Sequence, residues 1–254
     1  MRGLLISGFV AVFAIAFAQL ASAADLPVKT SVYKAPVAKP VYSWTGCYVG
    51  ANTGYAWAHT GLVETSVNGI PETFDRGSQT DRGWAYGGQI GCDYQFNNNW
   101  IVGIRGMWDG SDITGSRKVG PGDFVAGTDN VKINSFATLV GKLGYLLNPT
   151  LQLYGLGGVA WVRDHYFGTD PSFGEISSAN QTRIGYDVGV GLSWMFARNW
   201  DLWIEYDYMG LGTKNVIFNG KGINSGIQIG IDVKQNVNKV LLGINYRFDL
   251  GVAQ

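Results

Sequence analysis

The two cysteines, Cys47 and Cys92, are the side chains in this sequence with the most distinctive chemistry. Two thiols can form a disulfide, remain free, or take part in a metal site. No histidine lies close to either cysteine in the sequence, and an even number of cysteines in an exported chain favours a disulfide. We therefore predict a structural bridge, provided that the chain is exported and the fold brings the two residues together.

Charged residues form the second candidate set, because several recur at alternate positions within otherwise apolar segments. Inside a closed sheet these side chains would meet, and buried charges must be paired. They would either fill the interior as a salt-bridge network or line a narrow pore with little charge selectivity. The eight residues are Asp93, Arg105, Lys142, Asp187, Asp201, Glu205, Asp207 and Arg247.

Catalysis would depend on His59 and His165, the two histidines of the sequence. Asp164 is adjacent to His165, which resembles the pairing used by lipid-modifying enzymes at the rim of small barrels. No serine is placed beside either histidine, however, so we expect no enzyme activity. Two histidines also make a poor metal site, and no nucleotide-binding motif precedes a helix, so we expect no metal and no cofactor.

The N-terminus carries the features of a secretory signal peptide. Met1 and Arg2 provide a positive start, residues 4–18 are largely apolar, and Ala21-Ser22-Ala23 is a typical cleavage site. The apolar run is shorter than the roughly 20 residues that a membrane-spanning helix needs. We therefore predict that residues 1–23 are removed by cleavage between Ala23 and Ala24.

The mature chain divides into three further parts. Residues 24–43 contain three prolines and three lysines without apolar periodicity, which predicts an extended periplasmic tether. Period-two alternation then occupies residues 44–248, and residues 249–254 form a short C-terminal extension. Basic and acidic residues number 19 each, and cleavage removes only Arg2, so the mature chain lacks the positive charge expected of a nucleic-acid-binding protein.

Eight segments alternate between an apolar and a polar face, as half-buried strands do. In residues 240–248, for example, every second residue from Val240 to Phe248 is large and apolar. The segment 151–164 changes parity near Leu153-Tyr154, which a β-bulge would explain. The predicted strands are residues 45–58, 84–96, 100–109, 131–147, 151–164, 183–196, 200–208 and 240–248.

Short and long connections alternate between these strands, as in bacterial outer-membrane barrels. Residues 97–99, 148–150 and 197–199 predict tight turns, whereas residues 59–83, 110–130, 165–182 and 209–238 predict long loops. The 37 glycines and the low charged fraction of 15% suit a narrow lumen and a lipid-facing wall better than a soluble sandwich. We predict an all-β, eight-stranded antiparallel up-and-down transmembrane β-barrel with short periplasmic turns and four long extracellular loops.

The predicted strand arrangement also determines the relative positions of the two cysteines. If the first two strands form a hairpin centred near residue 70, Cys47 stands opposite Cys92 on the apolar face. Directly opposed residues of antiparallel strands lie within disulfide range. The expected bridge would therefore fix the first hairpin near the periplasmic rim.

Several motifs also resemble one known family. The start ADLPVK, the segment YSWTGCYVGANTGYAW, the segment GGQIGCDYQFNNNW and the end VLLGINYRF are similar to the alphaproteobacterial outer membrane surface-antigen family, a group of porin-like, OmpA-type barrels also called outer membrane immunogenic proteins. The resemblance implies an eight-stranded barrel in the cell outer membrane and an abundant surface antigen. It also implies that Gly243, Tyr246 and Phe248 form the signal read by the barrel-assembly machinery, although residues 249–254 extend beyond the point where many relatives end.

We therefore expect an envelope-structural and surface-display protein whose interior is filled by charges. A narrow small-solute porin and, more remotely, a rim enzyme remain open. The expected partners are outer-membrane lipid and lipopolysaccharide, the assembly machinery during biogenesis, and host or environmental ligands at the loops.

Overall fold

The computed structural model describes residues 42–118, 128–170, 174–220 and 225–248, which form one closed antiparallel barrel. Each strand pairs with its sequence neighbour, and the first pairs with the last. The predicted cleavage site at Ala23 and Ala24, most of the tether and the C-terminal extension lie outside the described residues. The strands are β1 (Gly46–Val67), β2 (Ile70–Phe96), β3 (Trp100–Lys118), β4 (Thr128–Asn148), β5 (Leu151–Asp170), β6 (Gly174–Ala197), β7 (Trp200–Gly220) and β8 (Gln228–Phe248).

The predicted fold class is confirmed, and the alternation has the expected cause. In β8, Leu242 and Ile244 are exposed on the outer wall, whereas Leu241 and Asn245, on either side of them, are buried in the lumen. Because β1 pairs with β8, neither strand has an open edge, and the backbone N–H and C=O groups of both are hydrogen-bonded. A sheet in lipid requires this pairing. The described residues contain no helix long and apolar enough to cross a membrane.

Two aromatic girdles mark the lipid-facing wall. Near the short turns, Trp100 packs edge-on against Tyr145, and Trp200 packs in the same way against Tyr246. At the other end the upper girdle includes Trp84, which is exposed on the outer wall. Such girdles occupy the two membrane interfaces of outer-membrane barrels. We call the strand parts beyond the upper girdle the outer extension; it comprises residues 58–83, 110–118, 128–136, 162–170, 174–183, 209–220 and 225–238.

The outer extension corrects the predicted strand lengths, because paired strands continue through most of the ranges expected to be loops. β1 and β2, for example, are joined by only Asn68 and Gly69, both with positive φ angles of 48° and 79°. Asn-Gly in this conformation is the favoured two-residue hairpin turn. The extension has its own apolar core, so its strands are stabilised beyond the membrane. This core contains Leu62, Val131, Tyr166, Val216, Ile231 and Val233.

The bulge expected near Leu153-Tyr154 is absent from β5. The ladders of β5 with both neighbours continue in register through this point. Instead, Tyr154 and Leu156 face the lumen with apolar side chains, and Leu153 faces outward. The change of parity therefore reflects an apolar layer inside the barrel, where the sequence pattern predicts a polar face.

Candidate functional site in the barrel lumen

The lumen is filled by alternating apolar and charged layers. At the periplasmic end an apolar base consists of Trp44, Ile101, Leu146 and Met195, all buried. The Trp44 indole N–H donates a hydrogen bond of 3.1 Å to the Pro149 carbonyl, which fixes the ring across the lumen. Trp44 lies two residues before strand β1, and the layer closes the barrel beneath the charged residues.

Above the base lies a branched ion-pair network. The Lys142 Nζ atom is 2.7 Å from the Asp93 Oδ2 atom. Arg247 bridges the same carboxylate, at 3.1 Å from Nη1, and Asp201, at 2.7 Å from Nε. The Lys142 ammonium also lies 5.4 Å from the centre of the Tyr48 ring, a cation–π distance. Four strands are therefore connected through the lumen by paired charges.

The next layer is a bidentate ion pair across the barrel. Arg105 of β3 donates hydrogen bonds from Nη1 and Nη2 to the Glu205 carboxylate of β7, at 2.8 and 2.5 Å. The two side chains are 4% and 0% exposed. The Arg105 guanidinium also lies 5.5 Å from the Trp203 ring centre. Because β3 and β7 are not neighbours, this pair occupies the middle of the lumen.

A third charged group is centred on Lys239, a residue that lies just outside the predicted strands. Its Nζ atom is 3.5 Å from Asp109 and 3.4 Å from Asp207. Asp187 is also fully buried, and neither of its carboxylate oxygens accepts a hydrogen bond within the described part of the chain. Asp109 shares the inward parity of Arg105 in β3, and Lys239 immediately precedes the predicted strand 240–248. Extending the alternation by one residue at that boundary would have identified Lys239.

The structure places all eight charged residues proposed from the sequence on the inner wall, where each is buried. Seven of them take part in the ion pairs described above, and Asp187 is the exception among the described residues. Burial of this many charges requires mutual pairing, since an unpaired charge in the interior is costly.

The two cysteines form the predicted disulfide. Cys47 of β1 stands directly opposite Cys92 of β2, as the hairpin register requires. Cys92 is exposed on the outer wall, so the bridge lies on the lipid-facing side rather than in the lumen. It connects the first hairpin close to its periplasmic end and has a structural role.

The histidines do not form a catalytic group with Asp164. The His165 Nδ1 atom lies 2.6 Å from the Asn180 side-chain oxygen on the outer wall, whereas Asp164 points into the lumen. His59 is also outside and contacts the Thr80 hydroxyl at 3.0 Å. The described residues contain no group of three side chains suited to holding a metal ion. Adjacent residues of a strand face opposite sides of the sheet. The side chains of Asp164 and His165 therefore do not contact each other, although the two residues are neighbours in the sequence.

A polar layer separates the mid-lumen charges from the apolar core of the outer extension. The Tyr166 hydroxyl donates a 3.0 Å hydrogen bond to the Asp164 carboxylate. Arg183 donates from Nη2 to the backbone carbonyls of Gly212 and Val233, at 2.8 and 2.9 Å. Burial raises the pKa of Asp164 to about 6, against the opposing effects of the Tyr166 hydrogen bond and the Arg183 charge.

This raised pKa predicts that the outer extension loses stability as the pH rises. The folded state holds the Asp164 proton more tightly than the unfolded state, so the free energy of unfolding falls between about pH 4 and pH 6, by at most about 3 kcal/mol. We expect Asp164→Asn to remove this part of the pH dependence in denaturant titrations at both pH values. Glu72→Gln, at an exposed position of β2, is the control. An unchanged pH profile in Asp164→Asn would contradict the prediction.

The three residues implied as an assembly signal occupy both walls of β8. Tyr246 and Phe248 are exposed outward, and their rings pack edge-on at 5.2 Å. Gly243 faces inward beneath Trp203, and a Cβ atom at this position would overlap the indole ring. Packing in the lumen therefore provides a reason for glycine at residue 243 that is independent of any signal.

A closed eight-stranded barrel with an apolar outer wall, two aromatic girdles and a charged lumen defines an integral outer-membrane β-barrel protein. More particularly, residues 9–248 match the outer membrane protein beta-barrel domain family, and the chain belongs to that family. Its location is the cell outer membrane.

The relatives agree with this assignment. The 31 kDa outer-membrane immunogenic protein of Brucella melitensis is 32% identical over 91% of this chain and 95% of its own length. The 25 kDa outer-membrane immunogenic protein of Brucella abortus is 26% identical over 91% of this chain and 92% of its own length. Among solved structures, the outer membrane protease OmpT of Escherichia coli covers 80% of this chain and 97% of its own, with a TM-score of 0.51 and 11% identity, a likeness of fold alone.

Proposed function

We propose that this protein stabilises the outer membrane and displays surface hairpins, and that its lumen is closed to solutes. The observation that carries the proposal is the filling of the lumen by buried side chains in successive layers. The apolar base, the Asp93 network and the Arg105–Glu205 pair each extend across the interior. In an eight-stranded barrel the interior is just wide enough for side chains to fill it.

The surface-display part of the proposal is supported by the outer extension. Its strands continue beyond the upper girdle and have a separate apolar core, so they hold the hairpin ends away from the membrane. Binding functions are commonly located on such connections between rigid strands. The outer-membrane immunogenic proteins that resemble this chain are compatible with exposure of these hairpins. Host or environmental ligands are therefore proposed to bind here, and no catalytic role forms part of the proposal.

Single-channel conductance tests the closed lumen. We expect refolded mature protein in a planar bilayer to give no reproducible current steps. Folding is checked by comparing boiled and unboiled samples on a gel, and insertion by flotation of the same protein with liposomes. Steady steps from protein that passes both checks would contradict a closed lumen.

The second candidate function, a narrow porin, is favoured by one observation. Around Lys239 the carboxylates of Asp109, Asp187 and Asp207 lack hydrogen-bond donors within the described residues. Buried polar atoms without protein partners are commonly satisfied by water. Water in the lumen around Lys239 would shorten the part of the lumen that is filled by side chains and that blocks small solutes. If current steps are observed, the lining proposed for the conducting path includes Arg105, Lys142, Glu205 and Asp207.

Assembly by the barrel-assembly machinery is proposed to depend on Phe248, whose ring lies on the outer wall at the end of β8. We expect Phe248→Ala to reduce the amount of heat-modifiable barrel in the outer membrane several-fold, because an outward ring can be contacted before the barrel closes. Phe196→Ala, an outward aromatic at the end of β6, is the matched control. Equal loss in both variants would assign the effect to the girdle instead.

A further inference from the structure

One row of outward side chains crosses four strands of the outer extension. Arg82 of β2 pairs with Thr114 of β3, and Thr114 pairs with Lys132 of β4. Lys132 in turn pairs with His165 of β5. Paired residues share a face of the sheet, with Cβ atoms about 5 Å apart. We call these four residues, together with Arg163, the basic row.

Arg163 belongs to this group because it lies two residues before His165, on the same face of β5. It pairs with Ser135 of β4 in the next step of the ladder. Arg82, Lys132 and Arg163 are all exposed. Three positive charges and an imidazole are thus presented side by side on the outer wall.

The height of the basic row corresponds to the lipid head groups. Arg82 lies two residues beyond Trp84 of the upper girdle, and Arg163 lies two residues beyond Trp161. Below the row, Leu139 and Val159 are exposed on the lipid-facing wall of the same strands. The surface therefore passes directly from apolar side chains, which contact acyl chains, to positive charges.

The cations of the basic row lack acidic partners within the described part of the chain. Arg82, Lys132 and Arg163 form no ion pair there, in contrast to the paired cations of the lumen. The nearby outward carboxylate of Asp112 accepts a 2.8 Å hydrogen bond from the Trp84 backbone N–H. Among the described residues, the row is therefore a site of positive charge without a neutralising carboxylate.

We propose that the basic row binds the phosphate groups of a phosphorylated glycolipid in the outer leaflet. Arginine and lysine are the side chains best suited to phosphate, and the apolar wall beneath them fits the acyl chains of the same molecule. A free anion in solution would contact only the positive charges and would make no contact with the apolar wall beneath them. The proposal rests on the outer-membrane location in the proposed function and is independent of whether the lumen conducts.

The test uses refolded mature protein in maltoside micelles and measures bound lipid by native mass spectrometry. The probe is bisphosphorylated lipid A. The variant Arg82→Gln/Lys132→Gln/Arg163→Gln is expected to bind this probe at least about tenfold more weakly than the unaltered protein. The control Lys118→Gln/Lys214→Gln/Lys234→Gln removes the same charge from exposed lysines outside the row, and we expect it to bind within about twofold of the unaltered protein.

Two further measurements complete the test. Dephosphorylated lipid A is expected to bind the unaltered protein as weakly as phosphorylated lipid A binds the basic-row variant. Equal weakening in both triple variants, or equal binding of the dephosphorylated probe, would overturn the proposal. Equal retention of phosphatidylglycerol would overturn the assignment to a glycolipid. Boiled and unboiled gels confirm that each variant is folded, and bilayer conductance separately reports on the lumen.

Discussion

Replacing Arg105 by alanine should lower the free energy of unfolding by about 3–5 kcal/mol, because Glu205 would be left as an unpaired charge in the lumen. The loss exceeds that expected from a surface ion pair, since both side chains are almost fully buried. Equilibrium unfolding in guanidinium, followed by tryptophan fluorescence and gel mobility in the same detergent, measures the change.

The double variant Arg105→Met/Glu205→Leu provides the matched control. It removes both charges together and keeps apolar volume beside Trp203, so most of the lost stability should return. A midpoint for Arg105→Ala equal to that of the unaltered protein would mean that Glu205 finds another partner or becomes protonated at little cost. Such a result would also weaken the case for a rigidly filled lumen.

Removing the disulfide with Cys47→Ala/Cys92→Ala should cost about 4 kcal/mol, the second large effect that we expect. The bridge joins residues 45 positions apart, and the chain-entropy relation gives this magnitude for a loop of that length. The constraint acts on the unfolded chain, so folding into micelles should also become slower. Midpoints from the same guanidinium titration provide the measurement.

Chemical reduction is the companion experiment, because it breaks the bond without changing the sequence. The reduced protein should unfold at the denaturant concentration found for the double alanine variant. If removal of both cysteines leaves the midpoint unchanged, the hairpin is already held fully by its ladders with β8 and β3. The same thiols should resist maleimide labelling in the folded, oxidised protein.

The sequence predicted the barrel because period-two alternation is strong wherever strands lie between lipid and lumen. The β1–β2 register, and with it the disulfide, followed from the position of one turn. The predicted strands were too short, because they ended near the upper girdle. Beyond it the outward positions face water and carry polar side chains such as His59, so the outward face no longer shows an apolar alternation. The inward residues, such as Leu62, retain an apolar pattern, but it is interrupted by buried Thr60 and Glu64.

The sequence predicts which charged residues face the lumen, but it does not predict which of them form ion pairs with one another. Parity alone identified Arg105 and Glu205 as inward, yet their contact joins β3 to β7 across the barrel. Such a contact depends on barrel diameter and on the stagger of non-neighbouring strands, which no local pattern encodes. Lys239 was missed for a simpler reason: it stands one residue outside a predicted strand boundary.

The tip of the first hairpin has a consequence for any antibody that binds it. The Asn68 backbone N–H donates a 2.7 Å hydrogen bond to the Gln228 carbonyl, and the Asn68 side chain accepts one from the Gln228 backbone at 2.9 Å. Segments 160 residues apart thus form one small surface. An epitope at this position is discontinuous, so antibodies raised against it should recognise the folded protein and lose binding to boiled protein or to a linear peptide spanning residues 62–75.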